Sequence, residues 1–133
     1  MSAEQHKDVI RQALDALAQG SVEGFLADTT DDFHFTLAGT PPGGNTLQGK
    51  QQMIELLKVV FGTHLERSAI AMTVENMIAE GDCVVEQAHG EARTLDGQDY
   101  NNVYCRVWRF RKGKIAALTE YMDTELARQC LWS

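Results

Sequence analysis

Apolar residues in the first part of the chain recur at helical spacing. Val9, Ile10, Ala13, Leu14 and Leu17 fall on one face of the segment Glu4 to Gln19, the pattern of a helix with one buried side. Ser2 followed by Gln5 has the form of a capping box, and Gly20 is a stop signal. Ser21 opens a second, short helix that buries Val22, Phe25 and Leu26. The period then drops to two. Phe33-His34-Phe35-Thr36-Leu37 alternates as a short strand, with Asp31 and Asp32 as a turn before it. Thr40-Pro41-Pro42-Gly43-Gly44-Asn45 is a loop on composition. Helical spacing returns from Lys50 to Phe61 through Met53, Ile54, Leu57 and Val60, and Gly62 ends it.

The second half reads as strands. Ile70–Glu80, Cys83–Thr94, Tyr100–Arg111 and Ile115–Met122 are separated by short glycine-bearing turns, which predicts an antiparallel meander. Asp123 or Thr124 caps a last short helix through Leu131. Helices gathered on one side of an antiparallel sheet make an α+β fold. A length of 133 residues fits a single domain, 1–133.

Charge and composition then exclude several classes. A formal net charge of −7 argues against nucleic acid, whose phosphates need a basic surface. The one basic cluster, Arg106, Arg109, Arg111, Lys112 and Lys114, reads as a solvated rim. No apolar run reaches the length of a membrane span. The N-terminus has no secretory core, so a cytoplasmic location and no membrane partner are expected. Cys83, Cys105 and Cys130 form no C-x-x-C pair and are expected as three reduced thiols. No cofactor or metal is expected: His89 and Glu91 are the only close pair of candidate ligands, and a first-row metal needs more.

Specific residues carry a family resemblance. Phe110-x-x-Gly113-Lys114-Ile115 with Glu120-Tyr121-Met122-Asp123 resembles the last hairpin of SnoaL-like and related NTF2-like proteins. Ala18-Gln19-Gly20-Ser21-Val22-Glu23-Gly24-Phe25 with Asp31-Asp32 resembles the start of the same superfamily. The resemblance implies a cone-shaped, strongly curved, mostly antiparallel sheet wrapped by N-terminal helices around a pocket. It leaves chemistry open, since one fold hosts many functions. On the ketosteroid isomerase pattern the three essential positions fall on Ala13, Leu37 and Arg106, so that mechanism is not expected. On the limonene epoxide hydrolase pattern the two carboxylates fall on His89 and Glu120, and the bridging arginine on Gln87.

Strand parity converts an inward Glu120 into a pocket wall. Leu118 and Met122 share its face. Asn102, Tyr104, Arg106, Trp108 and Phe110 are expected inward from the preceding strand, and Val85, Gln87, His89 and Glu91 from the one before. Phe33, Phe35 and Leu37 face the same space. Glu120, desolvated between Leu118 and Met122, is the candidate general base or acid. His89 is its candidate proton relay, and Tyr104 or Asn102 the donor to a developing oxyanion. Arg106 is read either as an anchor for an anion or as an ion-pair partner of Glu120 or Glu91. Asp123 is assigned to helix capping, His34 to the outside, and His6 and His64 to the solvated surface. The opposite face, with Val84, Ala88, Val103, Cys105, Val107, Ala117, Thr119 and Tyr121, is apolar enough to imply a homodimer through the sheets. Two function classes stay open. One is cofactor-free acid–base catalysis (isomerase, hydratase or dehydratase, cyclase or epoxide-hydrolase type) on a small, largely apolar molecule. The other is a non-catalytic ligand-binding or dimerisation module.

Overall fold

Helix α1, Ala3–Ala18, is set at both ends by local chemistry. The Ser2 hydroxyl accepts from the Gln5 amide at 3.2 Å, and the Gln5 side chain accepts from the Ser2 amide at 2.8 Å, a complete capping box. At the other end Gly20 adopts φ 83°. Its amide donates to Leu17 and the Ser21 amide to Ala16, the paired bonds of a Schellman stop. Ser21 then caps α2, Val22–Leu26, by accepting from the Gly24 amide. The two helices touch closely there: a Cβ on Gly24 would lie 2.8 Å from the Ala16 Cβ.

The chain continues as β1 Thr29–Leu37, β2 Asn45–Gln48, α3 Gly49–Val59, β3 Ala71–Glu80, β4 Cys83–Glu91, β5 Val103–Arg111, β6 Lys114–Met122 and α4 Thr124–Ala127. Wide π-type turns extend α3 over Val60–His64 and α4 over Arg128–Trp132. The computed structural model describes residues 1–66 and 71–132; the expected strand start at Ile70 lies outside them. The six strands form one curled sheet in the order β2-β1-β6-β5-β4-β3. Only β1 and β6 run parallel. Phe25, Phe33, Phe35, Met53, Leu57, Trp108 and Leu118 belong to the main core between helices and sheet. Among the described residues no helix is long and apolar enough to cross a membrane.

Several boundaries differ from expectation. β1 begins at Thr29, so Asp31 and Asp32 lie within a strand rather than in a turn; their exposed side chains sit near the sheet rim, where Asp32 pairs with Arg111. β2 is unpredicted. It is four polar or partly exposed residues pairing with β1, helped by a 3.1 Å Thr36–Thr46 hydroxyl contact. β4 and β5 are shorter than expected, and the segment between them continues their pairing through an isolated Arg93–Asp99 bridge. His6 is a clear correction. It is 1% exposed and stacks on Phe110 at 4.2 Å between ring centroids. The reason is its place one turn before Ile10 on the buried stripe of α1. His64 is half-buried, edge-on to Trp132. Asp123 caps α4, accepting from the Glu125 and Leu126 amides.

Candidate functional site

The site is set by register. Residues directly opposite on paired strands share a face. Glu86 on β4 pairs with Arg106 on β5, and Arg106 with Glu120 on β6. Leu37 on β1 flanks Glu120. A single transverse row therefore carries carboxylate, guanidinium and carboxylate on neighbouring strands, about 4.8 Å apart. The next row toward the strand ends holds Met122, Tyr104 and Ala88, and the row on the other side Leu118, Trp108 and Val84.

This row corrects the expected parity of β4. Val84, Glu86 and Ala88 are buried on the inner face. Gln87 and His89 point out of the cavity: Gln87 accepts from Asn76 at 3.3 Å, and His89 pairs with Glu75 on the exposed face of β3. The two faces of β4 have similar apolar content, and its connection to β5 spans residues 92–102, so neither pattern nor a tight turn fixes the register in the sequence. What decides it is Arg106. An inward arginine draws the carboxylate opposite it, and that residue is Glu86.

Arg106 holds the row together. Its Nε donates to Glu120 Oε2 at 2.8 Å and its Nη1 to Glu86 Oε1 at 2.7 Å. Its Nη2 lies 3.6 Å from Met72 Sδ, and the Tyr104 ring covers the guanidinium at 4.7 Å. Burial opposes its charge, but Glu120 and Glu86 outweigh that and raise its pKa. Glu86 is fully buried and also accepts from Trp108 Nε1 at 3.2 Å, while its Oε2 has no partner. Glu120 differs. Its side chain retains 14% exposure and borders the cavity.

That cavity measures about 440 Å³. Leu14, Leu17, Phe25, Met53 and Leu57 form its helical wall; Phe35, Leu37, Trp108, Leu118 and Met122 line it from the sheet. Tyr104, Arg106 and Glu120 supply the polar end. Glu91 also reaches the wall, but it lies five residues along β4 from Glu86, roughly 16 Å at strand rise.

Asn102 is buried but committed elsewhere. Its amide donates to the Tyr100 hydroxyl at 3.0 Å and to the Asp123 carbonyl at 3.2 Å, and its oxygen accepts from the Val103 and Asp123 amides. This corrects its assignment as an oxyanion donor: it latches β6 to β5. Tyr104 and Tyr100 both line the cavity, and the Tyr100 hydroxyl lies 3.6 Å from Met122 Sδ. Burial pushes both phenols above their ordinary pKa. Glu86 and Tyr100 are the site residues that the sequence reading passes over.

An α+β cone with helices packed against a curled sheet and a cavity between them is the NTF2-like architecture. Residues 10–118 match the SnoaL-like domain family, and the chain belongs to it. No functionally curated protein matches the chain. Among solved structures, it resembles an NTF2-like protein of unknown function from Burkholderia pseudomallei K96243, with a TM-score of 0.86 and 21% identity over 100% of both chains. It also resembles a SnoaL-like polyketide-cyclase candidate from Jannaschia sp. CCS1 (TM-score 0.81, 18% identity, 98% of this chain and 95% of that one). A third is an LEH-like epoxide hydrolase from M. tuberculosis (TM-score 0.75, 16% identity, 97% and 90%). Identities this low carry the fold alone. The bridging arginine that the epoxide hydrolase resemblance places at Gln87 is not there; Arg106, one strand over, bridges two carboxylates instead.

Proposed function

We propose that the chain binds a small, largely apolar molecule in the cavity and uses Glu120 to move a proton on it. One observation carries this reading: Glu120 is a cavity-facing carboxylate whose one oxygen is fixed by Arg106 at 2.8 Å, in a hollow otherwise lined mainly by apolar side chains. A positioned carboxylate beside a bound molecule contributes about 10²–10⁴-fold by general acid–base catalysis. Glu120 would act as a single carboxylate, since Glu125, which also lines the cavity, is held by Arg128. Glu86 sits behind Arg106 with no exposure, and Glu91 is too far along its strand to share the work. His89 faces away and is not a relay. This favours isomerisation, dehydration or cyclisation, in which one base takes a proton and can return it, over water attack that needs a separate base and acid. Tyr104, kept neutral by burial, borders the same space.

A non-catalytic binding module is the second reading, supported by the salt bridge that already satisfies one oxygen of Glu120. The two separate experimentally. A thermal-shift panel of hydrophobic ketones, lactones, epoxides and phenols finds an occupant, since a ligand at 100 times its Kd adds about 2.7 kcal/mol of apparent stability. Turnover of that compound is then compared in the natural chain and in Glu120→Gln. A loss of about 100-fold in kcat with binding retained supports catalysis; undiminished turnover removes Glu120 from the chemistry. The outer sheet face, with Val103 and Tyr121 exposed and Cys105, Val107, Ala117 and Thr119 half-exposed, is proposed to pair two copies.

A further inference from the structure

The charges around the cavity do not balance, and the imbalance has a sign. Among the described residues, two cations reach the wall, Arg106 and Arg128. Arg128 is held by Glu125 through two bonds of 3.0 and 2.6 Å. Arg106 is shared between two carboxylates, its third nitrogen turned to Met72 and its face covered by Tyr104. Against one guanidinium the buried row therefore sets two carboxylates. An incoming anion would have to take Arg106 from Glu120 or Glu86, and Glu86 already has one buried oxygen without a partner. Unpaired charge in a low-dielectric interior is strongly disfavoured. Hydrogen bonding points the same way. Glu120 spends Oε2 on Arg106, and among the described residues no donor reaches its Oε1. The polar end thus offers an acceptor and asks for a donor.

We propose that the cavity selects uncharged, largely apolar molecules that present an O–H group to Glu120, such as phenols, enols or alcohols, and refuses carboxylates of the same skeleton. The inference rests on the reading that the cavity is a ligand site and names the class of ligand. The probes are 2-naphthol, naphthalene and 2-naphthoate, measured by calorimetry at pH 7 on the natural chain and on Glu120→Gln. The naphthol is expected to bind about tenfold tighter than naphthalene, the gain of one hydrogen bond to a charged acceptor, and about 100-fold tighter than the naphthoate. In Glu120→Gln the naphthol-to-naphthoate ratio is expected to fall at least about tenfold, because the charge is gone and the shape is kept. Naphthoate binding as well as the naphthol overturns the charge selection while leaving the cavity a binding site. Naphthalene binding as well as the naphthol overturns the hydrogen bond. Binding by none of the three overturns the ligand-site reading and the selection together.

Discussion

Replacing Arg106 by methionine removes the only cation from the row Glu86–Arg106–Glu120 while keeping an unbranched stem of similar reach. Glu86 is then a fully buried carboxylate whose strongest partner is gone. Removing one member of a buried ion pair costs about 3–5 kcal/mol. For 133 residues an unfolding entropy of about 2.1 cal/mol/K per residue amounts to about 0.28 kcal/mol/K, so a loss of about 4 kcal/mol lowers Tm by roughly 14 °C. The deficit has a pH signature. A buried carboxylate without its cation holds a proton more tightly than the same group in the unfolded chain. The folded variant therefore keeps its stability at low pH and loses it as pH rises, and its deficit is smaller at pH 5 than at pH 7. Urea unfolding at the two pH values measures this. Removing the buried charge as well, in Glu86→Leu with Arg106→Met, is expected to recover part of the loss. An Arg106→Met chain within about 1 kcal/mol of the natural one, or a deficit independent of pH, would show that the row is not the buried charge network described.

Three further outcomes follow from particular contacts. Gly24→Ala gains about 1 kcal/mol of helix propensity, but the new methyl meets Ala16 and Ser21 at 2.8 Å, and overpacking at about 1–3 kcal/mol wins; a stabilised variant in urea would refute the tight α1–α2 contact. Tyr100 and Tyr104 have raised phenol pKa values in the fold, so their contribution is complete below the unfolded value near 10 and is lost as pH rises above it. In an alkaline titration followed by phenolate absorbance, their signals are expected with unfolding; a Tyr104→Phe chain that lacks a signal seen before unfolding would contradict this. The outer sheet face predicts a dimer mass by light scattering at micromolar concentration, and Val103→Lys with Tyr121→Lys is expected to give monomers; a monomer from the natural chain removes that interface.

Much of this arrangement was readable before the structure because β1, β5 and β6 alternate strongly. Phe35 and Leu37, Arg106 and Trp108, Leu118 and Met122 are separated by residues that are exposed or half-exposed. β4 was not readable, since Val84 and Ala88 on one face compete with Val85 on the other. The carboxylate on the inner face became legible only through its partner across the strand, so the resemblance-derived positions His89 and Gln87 misled. β2 carries too little apolar content to announce itself. His6 did leave a signal, at helical spacing ahead of Ile10, but histidine near a chain end reads as surface.

The parallel pairing of β1 with β6 has a consequence for how the molecule is made. β6 is the last strand of the chain, yet it occupies an interior place between β1 and β5. As the polypeptide leaves the ribosome, β1 and β2 can pair with each other but cannot join the meander until β6 has emerged. Until then β1, with Phe33 and Phe35, lacks the strand it finally lies beside, where Phe35 sits opposite Leu118. Assembly therefore closes late, on contacts from opposite ends of the chain, a high-contact-order step that is slow and exposes apolar surface while it waits.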